Sequence, residues 1–178
     1  QNMAILVGVN TVLADNPELT ARIPNGRNPI RLIMDSTLKI PLDAKVVQDK
    51  LAETWIFTTE QYDKEKRKQL EEKGIQVFET SGIDRVDPNE VIQILGEKLV
   101  SSVLIEGGGS IHAAFLEQQL VDKAIIYMAP KLIGGKQAPT FLEGQGIKDM
   151  SDAIELSDVT VEKIGTDFKW EGYPVYCK

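Results

Sequence analysis

The sequence has 178 residues, 42% of them hydrophobic and 26% charged, which is enough for one well-packed domain and too short for two comfortable ones. A formal net charge of −7 argues against non-specific binding to nucleic acid or anionic membrane, so any anionic ligand must be held by local donors. One cysteine, Cys177, and one histidine, His112, exclude a disulfide and any Cys/His zinc site, and they leave Ser-His-Asp or Cys-His catalysis only if His112 is the base.

Ala4–Val9 (AILVGV) opens the chain as a short buried strand. Thr11–Pro24 is read as a loop punctuated by Asn16-Pro17 and Pro24 and carrying Thr11, Asp15, Thr20 and Arg22. Ile30–Met34 is a second strand ending at Asp35-Ser36-Thr37, and Thr54–Thr58 is a third. Gln61–Lys73 is strongly charged and weakly periodic, a peripheral helix stopped by Gly74. Ile75–Phe78 is a short strand. Asp87-Pro88-Asn89-Glu90 starts a helix, with Asp as N-cap and Pro in the first turn, and Val91, Ile94, Leu95 and Leu99 form its apolar stripe.

That helix feeds Val103–Ile105, expected to be another buried strand, in the βαβ rhythm of a parallel sheet. Glu106 and three glycines, Gly107, Gly108 and Gly109, follow before Ser110 opens an Ala-rich helix. A strand that ends in a glycine turn at a helix N-terminus presents free N–H groups and the positive end of a dipole, which suits a phosphate or pyrophosphate. A simpler reading needs the glycines only for positive φ. Lys123–Ala129 is a further strand, Lys136–Met150 a loop with a small helical turn, and Glu155–Ile164 with Asp167–Cys177 an antiparallel hairpin. No apolar run reaches the roughly 18 residues of a membrane span and no signal-peptide pattern occurs, so the chain reads as cytoplasmic.

In open α/β sheets ligands sit beyond the carboxyl ends of the strands. Asp15, Asp35-Ser36, Thr58-Thr59, Glu106 and Lys131 all follow strands, which points to one shared cleft if the strands are parallel, although polar residues also end strands without further purpose. Two nucleotide motifs fail. His112 stands where G-x-G-x-x-G needs its last glycine, and Gly135-Lys136 is followed by Gln137 where a P-loop needs Ser or Thr.

Four stretches together, TVLADNPELTAR (Thr11–Arg22), RLIMDS (Arg31–Ser36), IEGGGSIHAAF (Ile105–Phe115) and APKLIGG (Ala129–Gly135), resemble the reductase domain of the bifunctional riboflavin-biosynthesis deaminase/reductase of bacteria. The resemblance runs in order over nearly the whole chain. It implies a dihydrofolate-reductase-like α/β fold, a mixed sheet flanked by helices with antiparallel C-terminal strands. It implies NADPH-dependent reduction of 5-amino-6-(5-phosphoribosylamino)uracil to the ribitylamino product, by a homodimer and without a metal in this domain. Thr11, Asp15 and Ser36 would then contact the cofactor, with Gly108, Gly109, Ser110, Ile111, His112, Ala113 and Ala114 as its phosphate turn. Leu19, Arg22 and Glu106 would bind the substrate.

Arg22 suits the substrate phosphate as a planar cation with several donors. Ser36 and the nearby Lys39 are placed to meet an adenosine 2′-phosphate, which would favour NADPH over NADH. The chemistry needs a proton transfer to open the ribose, and Asp15 and Glu106 are the carboxylates nominated as catalytic. Asp15 is favoured as the relay, and Glu106 as the group that holds ribityl hydroxyls or pyrimidine. The family's domain begins with a further strand and helix before Ala4, and its deaminase half carries zinc. Residues 1–178 are therefore expected to be a reductase domain without those parts, fused to a zinc deaminase in the intact protein. The rivals are a pterin or folate reductase of the same fold and a non-catalytic NADPH-binding module.

Overall fold

The computed structural model describes residues 2–24, 26–135, 138 and 140–176. Its strands divide by hydrogen bonding into two sheets. β1 (Ala4–Gly8), β2 (Ile30–Met34), β3 (Thr54–Thr58), β4 (Gln76–Glu79) and β5 (Val103–Ile105) are all parallel, in the order β4-β3-β2-β1-β5. β6 (Ala124–Met128), β7 (Glu155–Ile164) and β8 (Asp167–Val175) form an antiparallel sheet in the order β6-β8-β7. The α/β class and the antiparallel C-terminal hairpin are as the sequence predicts. The expected last residue of the hairpin, Cys177, lies outside the described residues.

Successive residues of the parallel strands point to opposite faces, and both faces are covered by helices. On one side Val7, Ile33, Ile56 and Val77 pack with residues from α1 (Val9–Asp15), α2 (Lys45–Gln48) and α3 (Lys64–Glu72), among them Val12, Val46 and Leu70. On the other, Leu6, Leu32, Trp55 and Phe57 meet α4 (Pro88–Glu97) and α5 (Gly109–Glu117) through Val91, Leu95 and Phe115. The start of α4 is built as its sequence implies, with the Asp87 carboxylate accepting from Asn89 N–H at 2.9 Å and Pro88 in the first turn. α3 is capped in the same way by Asp63, and Gly74, at φ +86°, ends it.

Three expectations need correction. Val9–Asp15 is a helix, where Thr11 onward was read as loop. It has no side-chain cap at its start and only seven residues, so composition does not announce it. It stops at Asn16, which adopts the left-handed conformation (φ 42°, ψ 55°) and donates its N–H to Val12 O, with Pro17 following. β5 is not a buried strand. It is the end strand of the sheet, paired among the described residues with β1 alone, and Leu104 is 41% exposed. Lys131 leaves the set of polar strand ends, because β6 belongs to the antiparallel sheet. The short helix α2 lies within the connection between β2 and β3.

The parallel sheet carries one charged group in its interior. Arg31, on β2, is 0% exposed, and its two terminal nitrogens donate to the Asp49 carboxylate at 2.7 and 2.9 Å. Asp49 stands just beyond the end of α2, with its side chain 19% exposed. Among the described residues, Arg31 Nε finds no partner.

Candidate functional site

From β1 to β4 the strands are laid down toward one edge, and β5 then returns to the other side of β1. The order reverses between β1 and β5, and a crevice opens at such a switch point beyond the carboxyl ends of the two strands. Here those ends are Gly8, which passes directly into α1, and the Glu106–Gly108 turn, which leads into α5. Glu106 still belongs to the sheet through its N–H, which donates to Leu6 O at 2.9 Å.

Two glycines of this turn have specific steric reasons to be glycine, and positive φ is not among them. None of Gly107, Gly108 and Gly109 adopts it. A Cβ on Gly107 would stand 2.9 Å from Cβ of Ile111, and one on Gly8 would stand 3.0 Å from Ile111 Cγ1. Ile111 is thus a wedge, seated between Gly8 at the end of β1 and Gly107 in the turn after β5. A Cβ on Gly109 would be 2.6 Å from the Thr140 carbonyl oxygen. Gly108 differs, because a Cβ there would meet nothing within 4 Å. It is the N-cap of α5, and no side chain caps the first N–H groups of that helix.

A stability prediction follows. Gly107→Ala forces Ile111 and its helix to shift and costs about 1–3 kcal/mol. Gly108→Ala stays within about 0.5 kcal/mol of the parent. Denaturant melts of the two variants check this, and equal losses would remove the wedge from the account.

Two hollows flank the turn. The first, about 440 Å³, brings together Leu19, Arg22 and Glu106, the three residues expected to bind substrate, over a floor that includes Ile5 and Leu104. The second, about 430 Å³, is lined by Ser110, Ala113 and Ala114 of α5 with Arg85 and Glu143. Thr11 and Asp15 line neither. Asp15 is the last residue of α1 and is exposed, a whole helix away from the strand end it was expected to follow.

Several other expected site residues are engaged by the protein itself. Asp35, 1% exposed, accepts from Lys39 N–H at 2.9 Å and Ile40 N–H at 2.8 Å, closing the turn after β2. Thr58 and Thr59 both donate their hydroxyls to Ser36 O, at 3.1 and 2.9 Å. These three polar groups hold strand ends together, which is the simpler of the two readings offered for them. Ser36 Oγ accepts from Val86 N–H at 3.2 Å and keeps its own proton to donate. The Lys39 side chain is exposed. Both ring nitrogens of His112 are bonded to backbone groups. Among the described residues no cluster of His, Cys, Asp or Glu is arranged to hold a metal ion.

Sequence reasoning passed over Arg85. It lines the second hollow opposite Ser110, one residue before the Val86 N–H that reaches Ser36. Its signal was Gly82, where a Cβ would fall 1.9 Å from the Arg85 carbonyl oxygen, so this tight turn demands glycine.

The topology defines a doubly wound α/β domain whose strand order reverses between β1 and β5. Residues 1–170 match the RibD C-terminal domain family, and the chain belongs to that family. It is 42% identical over 171 residues to the riboflavin biosynthesis protein RibD of Bacillus amyloliquefaciens, covering 96% of this chain and 46% of that protein. It is 38% identical over 152 residues to the 2,5-diamino-6-ribosylamino-4(3H)-pyrimidinone 5′-phosphate reductase of Aquifex aeolicus, covering 85% of this chain and 67% of that one. Among solved structures it resembles Acinetobacter baumannii RibD (TM-score 0.79, 23% identity, 98% of this chain and 47% of that chain). It also resembles a deaminase/5-amino-6-(5-phosphoribosylamino)uracil reductase from Thermotoga maritima (TM-score 0.73, 26% identity, 98% and 46%). The chain spans about half the length of the RibD proteins it matches.

Proposed function

We propose that this domain reduces 5-amino-6-(5-phosphoribosylamino)uracil, or its close pyrimidinone analogue, to the ribitylamino product, using NADPH in riboflavin biosynthesis. The observation that carries the reading is the first hollow, where Leu19, Arg22 and Glu106 converge along β1 and β5, with Glu106 at the end nearest the glycine turn. The name of the Aquifex aeolicus relative, a phosphate-bearing pyrimidinone reductase, supports the same substrate class.

The residues present fit a dinucleotide phosphate. Gly108 leaves open space at the N-terminus of a nine-residue helix, and Arg85 supplies a cation across the second hollow from Ser110. Ser110, Ala113 and Ala114 line that hollow, while Ile111 and His112 serve the phosphate turn by holding its backbone in place. Thr11, Asp15 and Ser36 complete the proposed cofactor contacts from α1 and the end of β2. When bound, the nicotinamide supplies a hydride to C1′ of the ring-opened sugar. Arg22 pairs with the substrate phosphate and fixes how deeply the sugar enters. Glu106 accepts hydrogen bonds from sugar hydroxyls or the pyrimidine, and the half-buried Leu19 gives the hollow an apolar wall. A cytoplasmic homodimer fused to a zinc deaminase is part of the same proposal, and the half-length match to RibD proteins supports the fusion to a further domain.

Following NADPH absorbance in the intact protein with the phosphoribosylamino-pyrimidine present tests the reading. Substrate-dependent oxidation is expected. Oxidation with dihydrofolate alone would transfer the domain to pterin chemistry, and NADPH binding without turnover would make it a binding module. Cofactor choice gives a second test. Ser36→Asp keeps an acceptor for the Val86 N–H but sets a carboxylate where a 2′-phosphate would lie and where a free 2′-hydroxyl could be bonded. The NADPH-to-NADH ratio of kcat/KM is expected to fall about tenfold or more, the size of one charge-assisted contact. An unchanged ratio removes Ser36 from the cofactor site.

A further inference from the structure

The sole histidine of the chain sits between the two hollows. His112 lies in the first turn of α5, half-buried. Its Nε2 accepts from the Gly107 N–H at 3.3 Å, and its Nδ1 stands 2.8 Å from the Phe141 carbonyl oxygen. A carbonyl can only accept and an N–H can only donate, so the ring is the neutral tautomer with its proton on Nδ1. One side chain therefore ties the glycine turn, which borders the first hollow at Glu106, to residues 140–145, which wall the second hollow through Glu143 and Gly144.

This 140–145 strap is fastened to α5 by two more bonds. Glu143 N–H donates to Gly109 O at 3.1 Å, and Gln145 N–H donates to Glu117 Oε1 at 3.4 Å. The fit is close, because a Cβ on Gly109 would press on the strap at the Thr140 carbonyl and a Cβ on Gly144 on Glu117 Oε1. Of the three fasteners, His112 alone also reaches the turn before the helix.

We propose that His112 is a positioning residue whose neutral imidazole locks the Glu106–Gly108 turn to the 140–145 strap, so that seating a dinucleotide at the turn and closing the strap are one coupled event. The clamp rests on the hydrogen bonds alone, and its coupling to NADPH rests on the function proposed above. Coupling is reciprocal: a strap held shut raises cofactor affinity, and bound cofactor protects the strap by the same factor.

Three variants separate the two bonds. In His112→Asn the amide nitrogen takes the place of Nδ1, which keeps the Phe141 bond and loses the Gly107 bond. In His112→Gln the amide oxygen takes the place of Nε2, which keeps the Gly107 bond and loses the strap. His112→Ala loses both. Amide hydrogen exchange in the cofactor-free protein is expected to show Gly107 deprotected in His112→Asn and His112→Ala. Glu143 and Gln145 are expected to be deprotected in His112→Gln and His112→Ala. NADPH binding, followed by its fluorescence, is expected to weaken about tenfold in His112→Ala, the loss of one or two ordinary hydrogen bonds. NADPH is expected to raise protection of Glu143 and Gln145 in the parent but not in His112→Gln. The nitrogen resonances of the single imidazole must report a proton on Nδ1.

An Nε2–H tautomer, or unaltered exchange at Gly107 and Glu143 in His112→Ala, overturns the clamp. Altered exchange with unaltered NADPH affinity overturns the coupling. If the parent itself takes no NADPH, the cofactor reading fails, and the clamp is still judged by exchange alone.

Discussion

Replacing Asp49 with alanine lowers the stability of the domain by about 3–5 kcal/mol, the usual cost of leaving a buried charge without its partner. Arg31 is wholly enclosed at the second strand of a parallel sheet, and Asp49 is the group that meets its two terminal nitrogens in a forked geometry. Chemical denaturation reads the loss directly. The double variant Arg31→Met/Asp49→Leu recovers most of it, since an apolar pair of similar volume has no charge to desolvate. A loss below about 1 kcal/mol for Asp49→Ala would place the pair with ordinary surface ion pairs.

The same pair shapes the acid limb of stability. Burial pushes the Asp49 carboxyl up, but the Arg31 hydrogen bonds, the Leu51 N–H and the nearby charges of Arg31 and Lys45 outweigh it and hold the group below the ordinary aspartate value. A carboxyl depressed in the folded state contributes stability that is complete above its unfolded pKa and is lost as the pH falls through the lowered folded value. The acid limb of the parent is therefore steeper than that of the Arg31→Met/Asp49→Leu variant.

The largest effect on activity is expected at Glu106. Glu106→Gln keeps the shape of the first hollow and removes its charge. An acceptor that holds substrate hydroxyls loses about 1.5–3 kcal/mol when neutralised, or roughly 10- to 100-fold in kcat/KM. That loss falls mainly on KM, because binding groups act before the chemical step. Arg22→Ala has the same signature and is partly relieved for a substrate without its phosphate. Asp15→Asn is the decisive comparison. Asp15 is exposed at the end of α1 and lines neither hollow, so its amide variant is expected to keep kcat within a few-fold. A fall in kcat of about 100-fold or more, the range for a lost general acid or base, would instead make Asp15 the proton relay.

Elements defined by local chemistry were legible in the sequence. Ile30–Met34 and Thr54–Thr58 match their strands to the residue, since buried parallel strands are written as continuous apolar runs. The Asp87-Pro88 start of α4 is equally plain. What was hidden depends on order in space. Val103–Ile105 reads as a buried run, but its place at the sheet's end is a matter of topology that three residues cannot encode. VNTVLAD is held as a helix by its packing on β1 and β2, not by propensity. The glycine turn was read as a ligand seat on grounds of helix dipole and backbone access. The reason for two of its glycines, close approach to Ile111 and to Thr140, needed coordinates. Asp35, Thr58 and Thr59 stood in the right place for a site and proved to hold the loop after β2, Asp35 from within it and the two threonines from the end of β3.

The reversal of strand order also biases the order of assembly. β1 to β4 join neighbours close along the chain, whereas pairing Leu6 with Ile105 closes a loop of roughly a hundred residues. By loop-closure entropy that costs only about 1 kcal/mol more than joining β1 to β2. β5 can repay it with just three paired positions, Ala4 to Leu6 against Val103 to Ile105, and with the docking of α5 through Phe115 and Ile111. Loop closure therefore favours pairing of β1 to β4, with Arg31 and much of the apolar core, over the addition of β5 and its glycine turn. The crevice at the switch point thus rests on the pairing with the greatest sequence separation in the parallel sheet and on the fewest paired positions.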